Sequence, residues 1–110
     1  VAKLVNRARM TTATTGTGTI TLGSASSGFQ TFAAAGVANG DIVQYVIEDG
    51  AAWEIGTGTY TATGTTLSRS PTQSSSGGAA INLSGSAVVF IAAVAADFPG
   101  FEQPMLLMGA

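Results

Sequence analysis

The chain has 110 residues, enough for one domain with a modest core. Apolar residues make up 45% and charged residues only 9%, the reverse of the balance that keeps a chain disordered. There is no Cys and no His, which excludes disulfides and thiolate metal sites and removes the usual general base and thiol nucleophile.

So light a charge is unusual on a free-standing soluble surface. Thr, Ser, Gly and Ala fill that surface instead, a composition suited to a subunit in a crowded assembly. The net charge of −2 hides an asymmetry. Lys3, Arg7 and Arg9 lie in the first nine residues, whereas Arg69 is the only later cation against six carboxylates. The sequence thus reads as a basic N-terminal arm, residues 1–10, ahead of an acidic body. Such an arm either docks on an acidic neighbour or is a solvated tail, and three charges are too few for a polybasic nucleic-acid tract. The opening VAKLVNRARM is too polar for the apolar region of a signal peptide. The longest apolar run, 87–96, has about half the ~20 residues of a membrane helix. The chain is therefore expected to be soluble, made in the cytoplasm and free of membrane contact.

Along the chain the dominant pattern is period two with turn punctuation, the mark of strands. Residues 17–22, TGTITL, read as a strand that buries Ile20 and Leu22, followed by a Gly/Ser loop over 23–28. FQTFAAA, 29–35, is open between one helical turn and a loop plugging the core. Asn39-Gly40-Asp41 signals a turn. Residues 42–48, IVQYVIE, form the clearest strand, with Val43, Tyr45 and Ile47 on one face and Ile42, Gln44, Val46 and Glu48 on the other. Asp49-Gly50 predicts a hairpin. The return strand sets Trp53 and Ile55 on one face and Glu54 on the other, which makes Val43, Tyr45, Ile47, Trp53 and Ile55 the expected core.

The strand continues over 57–63, with Gly56 and Gly58 suggesting a bulge or bend. After a turn at Thr63-Gly64 it returns over 65–70. PTQSSSGG, 71–78, reads as a flexible loop. The last strands are 79–83 and 87–95, the second apolar on both faces and therefore central. Seven or eight short strands at this spacing predict an all-β fold over 11–96, a small antiparallel β-sandwich or barrel. The short echo GTGTIT at 16–21 and GTGTYT at 56–61 marks bent strands with Thr facing water.

The final segment, DFPGFEQPMLLMGA at 97–110, breaks the alternation with two prolines. Phe98, Phe101, Met105, Leu106 and Leu107 would each forgo about 1.5–3 kcal/mol if left in water. The segment must pack on its own domain or on a neighbouring subunit, and its prolines favour an extended arm in a neighbour's groove.

Chemistry is sparse in this sequence. Glu48 and Glu54 across the hairpin are a conceivable carboxylate pair, but read better as solvated edge charges. Asp41, Asp49 and Glu54 lack the spacing of a calcium loop, and the glycines lack a phosphate-loop ending. Trp53, Tyr45 and Tyr60 suit either a sugar-binding face or a core plug, the plug being favoured. No catalytic residue, cofactor or metal is expected.

TTATTGTGTITL, GFQTFAAA, IEDGAAWEIGTGTYTATGTTLSRS and SSSGGAAINLSG together resemble a small Thr/Gly-rich β-module of structural proteins of tailed bacteriophages. The resemblance spans residues 6–95. Its most specific part is the WEIGTGTYT core followed by a TTLSR strand. It implies a non-enzymatic virion protein, foremost a capsid decoration or cement protein, with a tail, neck or fibre component, including one that binds a host-cell glycan, as the alternative. The expected partners are the major capsid protein or another virion protein and further copies of the chain, as a trimer or ring. The residues expected to make those contacts are Lys3, Arg7 and Arg9 in one arm and Phe98, Phe101, Met105, Leu106 and Leu107 in the other.

Overall fold

A computed structural model of the chain describes residues 4–92. Its strands are β1 (Arg9–Thr12), β2 (Thr15–Gly16), β3 (Ile20–Ala25), β4 (Ile42–Asp49), β5 (Ala52–Thr61), β6 (Thr66–Leu67), β7 (Ser70–Ser74), β8 (Leu83–Ser84) and β9 (Ala87–Ile91). One short helix, α1 (Phe32–Ala35), follows β3. Six strands in the order β4-β9-β1-β3-β6-β5 close on themselves through the β4–β5 pair, making an antiparallel barrel. β7 adds to β5 beyond β6, and β2 pairs with β8 as a small separate ribbon.

Alternation decides what fills the barrel. Val43, Tyr45 and Ile47 on β4, Ile20 and Leu22 on β3, and Ala87, Val89 and Ile91 on β9 all point inward and are buried. The ambiguous FQTFAAA segment resolves into both of its readings at once. Thr31 caps a single helical turn by accepting from the Ala34 N–H at 3.0 Å, and Gly36 ends it in the left-handed region at φ 116°. The turn drives Phe32 into the core, its ring 6.2 Å from that of Tyr60.

The hairpin forms at Asp49-Gly50 as predicted, with Asp49 opposite Ala52 and Gly50 at φ 63°. The face of its return strand is inverted. Glu54, Gly56, Gly58 and Tyr60 point inward, while Trp53 is 38% exposed and Ile55 is half-buried. The register explains this, since Ile47 is opposite Glu54 and Glu48 is opposite Trp53. Trp53 and Ile55 are thus outer-face residues and not core.

Other boundaries move for local reasons. β3 runs through Gly23 to Ala25, and the missing side chain of Gly23 eases its close approach to Thr11, whose carbonyl would sit 3.1 Å from an added Cβ. Much of the stretch read as a flexible loop is strand β7. Pro71 fits there because it sits opposite Gly56, where the register of β5 shifts, so its missing N–H interrupts no regular ladder. The Ser/Gly run after it is a turn tied by the Ser74 hydroxyl, which accepts from Ser76 and Gly78 N–H groups at 3.1 Å each. The strand expected at 79–83 shrinks to Leu83–Ser84, since the backbone of Ile81 bonds side chains instead.

Candidate functional site

The inverted face places a carboxylate inside the barrel, where an isolated charge is very costly. Glu54 is fully buried and both its oxygens are engaged. Oε2 accepts from the Tyr45 hydroxyl at 2.6 Å and from Arg69 Nε at 3.2 Å. Oε1 accepts from an Arg69 terminal nitrogen at 2.5 Å and from the Ile81 N–H at 2.9 Å. The guanidinium, whose side chain is 2% exposed, also donates to the carbonyls of Gly16, Gly18 and Ile81. Burial pushes the Glu54 carboxyl up, but the bonds from Arg69, Tyr45 and Ile81 outweigh it and hold the group below the ordinary glutamate range. The Tyr45 hydroxyl is driven far above its usual value by burial first and by the neighbouring carboxylate second. A carboxylate so occupied, away from solvent, has no free lone pair facing a substrate; it pins β5, the 16–18 turn, the segment before β7 and the Ile81 stretch together.

The other carboxylates weighed in the sequence do not join it. Asp49 accepts from the Ser84 N–H and hydroxyl at 2.7 and 2.8 Å, Asp41 accepts from the Ala38 N–H, and Glu48 faces outward. Tyr45 and Tyr60 are both buried, so a three-aromatic sugar face with Trp53 does not form.

What remains on the outside is a wall built by β5, β4, β9 and β1. Cross-strand partners share a face, and the registers align Ile55 with Val46, Val46 with Phe90, and Phe90 with Arg9. A second row aligns Trp53 with Glu48 and Glu48 with Val88. Val46, Ile55, Val88 and Phe90 are half-buried and Trp53 and Ile42 are exposed. One ion pair, Arg9 to Glu48 at 3.7 Å, spans β9 on this face.

The predicted cations of the N-terminal arm divide. Arg9 belongs to β1, where its guanidinium lies 5.1 Å from the Phe90 ring and 5.5 Å from the Phe29 ring. Arg7 lies 4.0 Å over Phe29 and donates to the Gly28 carbonyl at 2.7 Å. Gln30 Nε2 donates to the Asn6 carbonyl, so the chain is tied to the barrel from Asn6 onward. Arg7 and Arg9 thus sit at the edge of the wall, on aromatic rings, instead of on a free arm. Lys3, Phe98, Phe101, Met105, Leu106 and Leu107 lie outside the described residues. The wall is not legible from the expected hairpin faces, which put Trp53 and Ile55 inside; its signal in the sequence is the outward set Ile42, Gln44, Val46 and Glu48 on one side of β4.

Comparison with known protein families, with curated proteins and with solved structures finds no match to this chain.

Proposed function

We propose that this chain is a non-enzymatic structural protein of an assembled particle, held there by contacts with other protein subunits. The observation that carries the reading is the outer wall: an apolar band of Trp53, Ile55, Val46 and Phe90 edged by arginines. Contiguous apolar surface with aromatic and Arg side chains is the usual chemistry of protein–protein docking. The low overall charge supports the same reading, since few ionisable groups are left to keep a lone subunit dispersed.

The kind of particle rests on the resemblance to the tailed-bacteriophage module. On that basis the chain decorates or cements a capsid, gripping the major capsid protein and further copies of itself. A tail or fibre position is favoured by one observation, the exposed indole of Trp53 beside the hairpin, which suits stacking on a sugar ring. Protein quantification of purified particles tests these readings. Copies in proportion to the major shell subunit support decoration, a small fixed number supports a tail position, and absence from particles overturns the proposal.

A further inference from the structure

Among the described residues, the outer wall has no strand beside the start of β4. β9 pairs only with Tyr45–Glu48 of β4, whereas β4 begins at Ile42 and pairs with β5 along its whole length. Among the described residues, Ile42–Gln44 therefore has no strand on its β9 side. Gln44 lies there on the outward side of β4, only 8% exposed, and its Oε1 accepts no hydrogen bond. A buried amide oxygen without a donor is costly, and an incoming N–H would satisfy it. Ile42 beside it is 53% exposed.

We propose that residues 93–110 of the same chain occupy this wall, setting their large apolar side chains against Val46, Ile55, Phe90 and Trp53. The inference rests on the reading of the wall as a docking surface and names its occupant. Three observations carry it. The segment starts just past Ile91, which pairs with Tyr45 at the end of the described part of β9. Its 18 residues can span roughly 60 Å when extended, against strand spacings of about 4.8 Å, so every part of the wall is within reach. Its composition matches the wall: Phe98, Phe101, Met105, Leu106 and Leu107 for the apolar band, and Asp97 and Glu102 as its only charges, opposite in sign to Arg7 and Arg9 at the edge. A tethered segment acts at an effective concentration in the millimolar range, so in the isolated protein it outcompetes a second copy, and a neighbouring subunit in the particle takes the wall by displacing it.

The chain has no native Cys, so paired cysteines in the full-length protein report the contact. Val46→Cys is combined in turn with Phe98→Cys, Phe101→Cys or Leu106→Cys. Thr21→Cys is the control, exposed on β3, the strand opposite β4 in the six-strand ring. Under mild oxidation at least one Val46 pair should close within a single chain, at a yield independent of protein concentration and well above that of the Thr21 pairs. Disulfide-linked dimers that grow with concentration would assign the wall to a second copy and overturn the proposal, as would Val46 yields no higher than those of Thr21. Trp53 is the only tryptophan, so its emission gives a reading that needs no new cysteine. Leu106→Glu with Leu107→Glu in the full chain should shift it to the red and increase acrylamide quenching; unchanged emission would overturn the proposal. Incorporation of the wild-type chain into particles is scored separately, so that failure of the assembly reading and failure of the docked segment are told apart.

Discussion

Glu54 and Arg69 are 15 residues apart, and no local spacing announces that they meet. The alternation of β5 is readable in the sequence, but alternation does not say which face is inward, and a charge reads as solvent-facing and Trp as core, the reverse of what the barrel holds. Only the tertiary pairing, which puts a guanidinium and a tyrosine hydroxyl against the carboxylate, makes the inward Glu54 tolerable. Arg69→Met should therefore be severe, about 3–5 kcal/mol by urea denaturation, because it leaves a buried charge without its partner. The pH dependence follows from the direction of the shift. A carboxyl whose folded-state value lies below its unfolded value stabilises fully above the ordinary glutamate range, near pH 4.3. That stability is lost as pH falls through the folded-state value. The urea midpoint should hold from neutral pH down to about pH 5 and fall below it, and Glu54→Gln should start lower at pH 7 and decline less steeply.

At the scale of elements, the glycines of the second GTGT segment have a role that composition alone does not disclose. A Cβ on Gly56 would lie 2.7 Å from the Tyr45 hydroxyl and 2.8 Å from Pro71 Cα, and would collide with the Ser70 carbonyl. Gly58 is as tightly confined by the Ser68 carbonyl and by Leu67. These two positions let β7 and the segment before it lie directly on β5. Gly56→Ala should lower stability by about 1–3 kcal/mol or more, as overpacking does, seen as a drop in Tm. The first GTGT segment does something different, presenting the Gly16 and Gly18 carbonyls to Arg69. Strand identity, the hairpin and the inward set of β4 were legible because each rests on neighbours in sequence. The β7 edge and the wall were not, because each depends on which strand lies alongside. Trp53→Ala measures this difference directly. A buried indole would cost roughly 3–5 kcal/mol on truncation, but this outer-face one should cost about 1–2 kcal/mol in urea denaturation, the share its contact with residues 93–110 supplies.

For the whole molecule, the wall makes a prediction about attachment. Exposed ion pairs are weak and screened by salt, whereas apolar burial is not. If the barrel is held in its particle chiefly through Trp53, Val46 and Phe90, raising salt from about 50 to 500 mM, across which the Debye length falls severalfold, should release little protein in a pelleting assay. A steep loss would assign the grip to Arg7 and Arg9 instead.

The closure of the barrel also bears on how the protein is made. β1 lies between β3 and β9, and Arg9 is paired with Phe90, so the first strand of the ring waits for the last. During synthesis the β4–β5 hairpin can form early from local pairing, but the ring stays open until β9 has emerged from the ribosome. Contacts this distant along the chain make folding slow, typically milliseconds to seconds. Until then Met10, buried in the finished barrel, faces solvent on an unpaired edge. A nascent chain stalled short of β9 therefore cannot close its barrel and is a good substrate for proteolysis, so the last strand of the ring sets when the fold becomes secure.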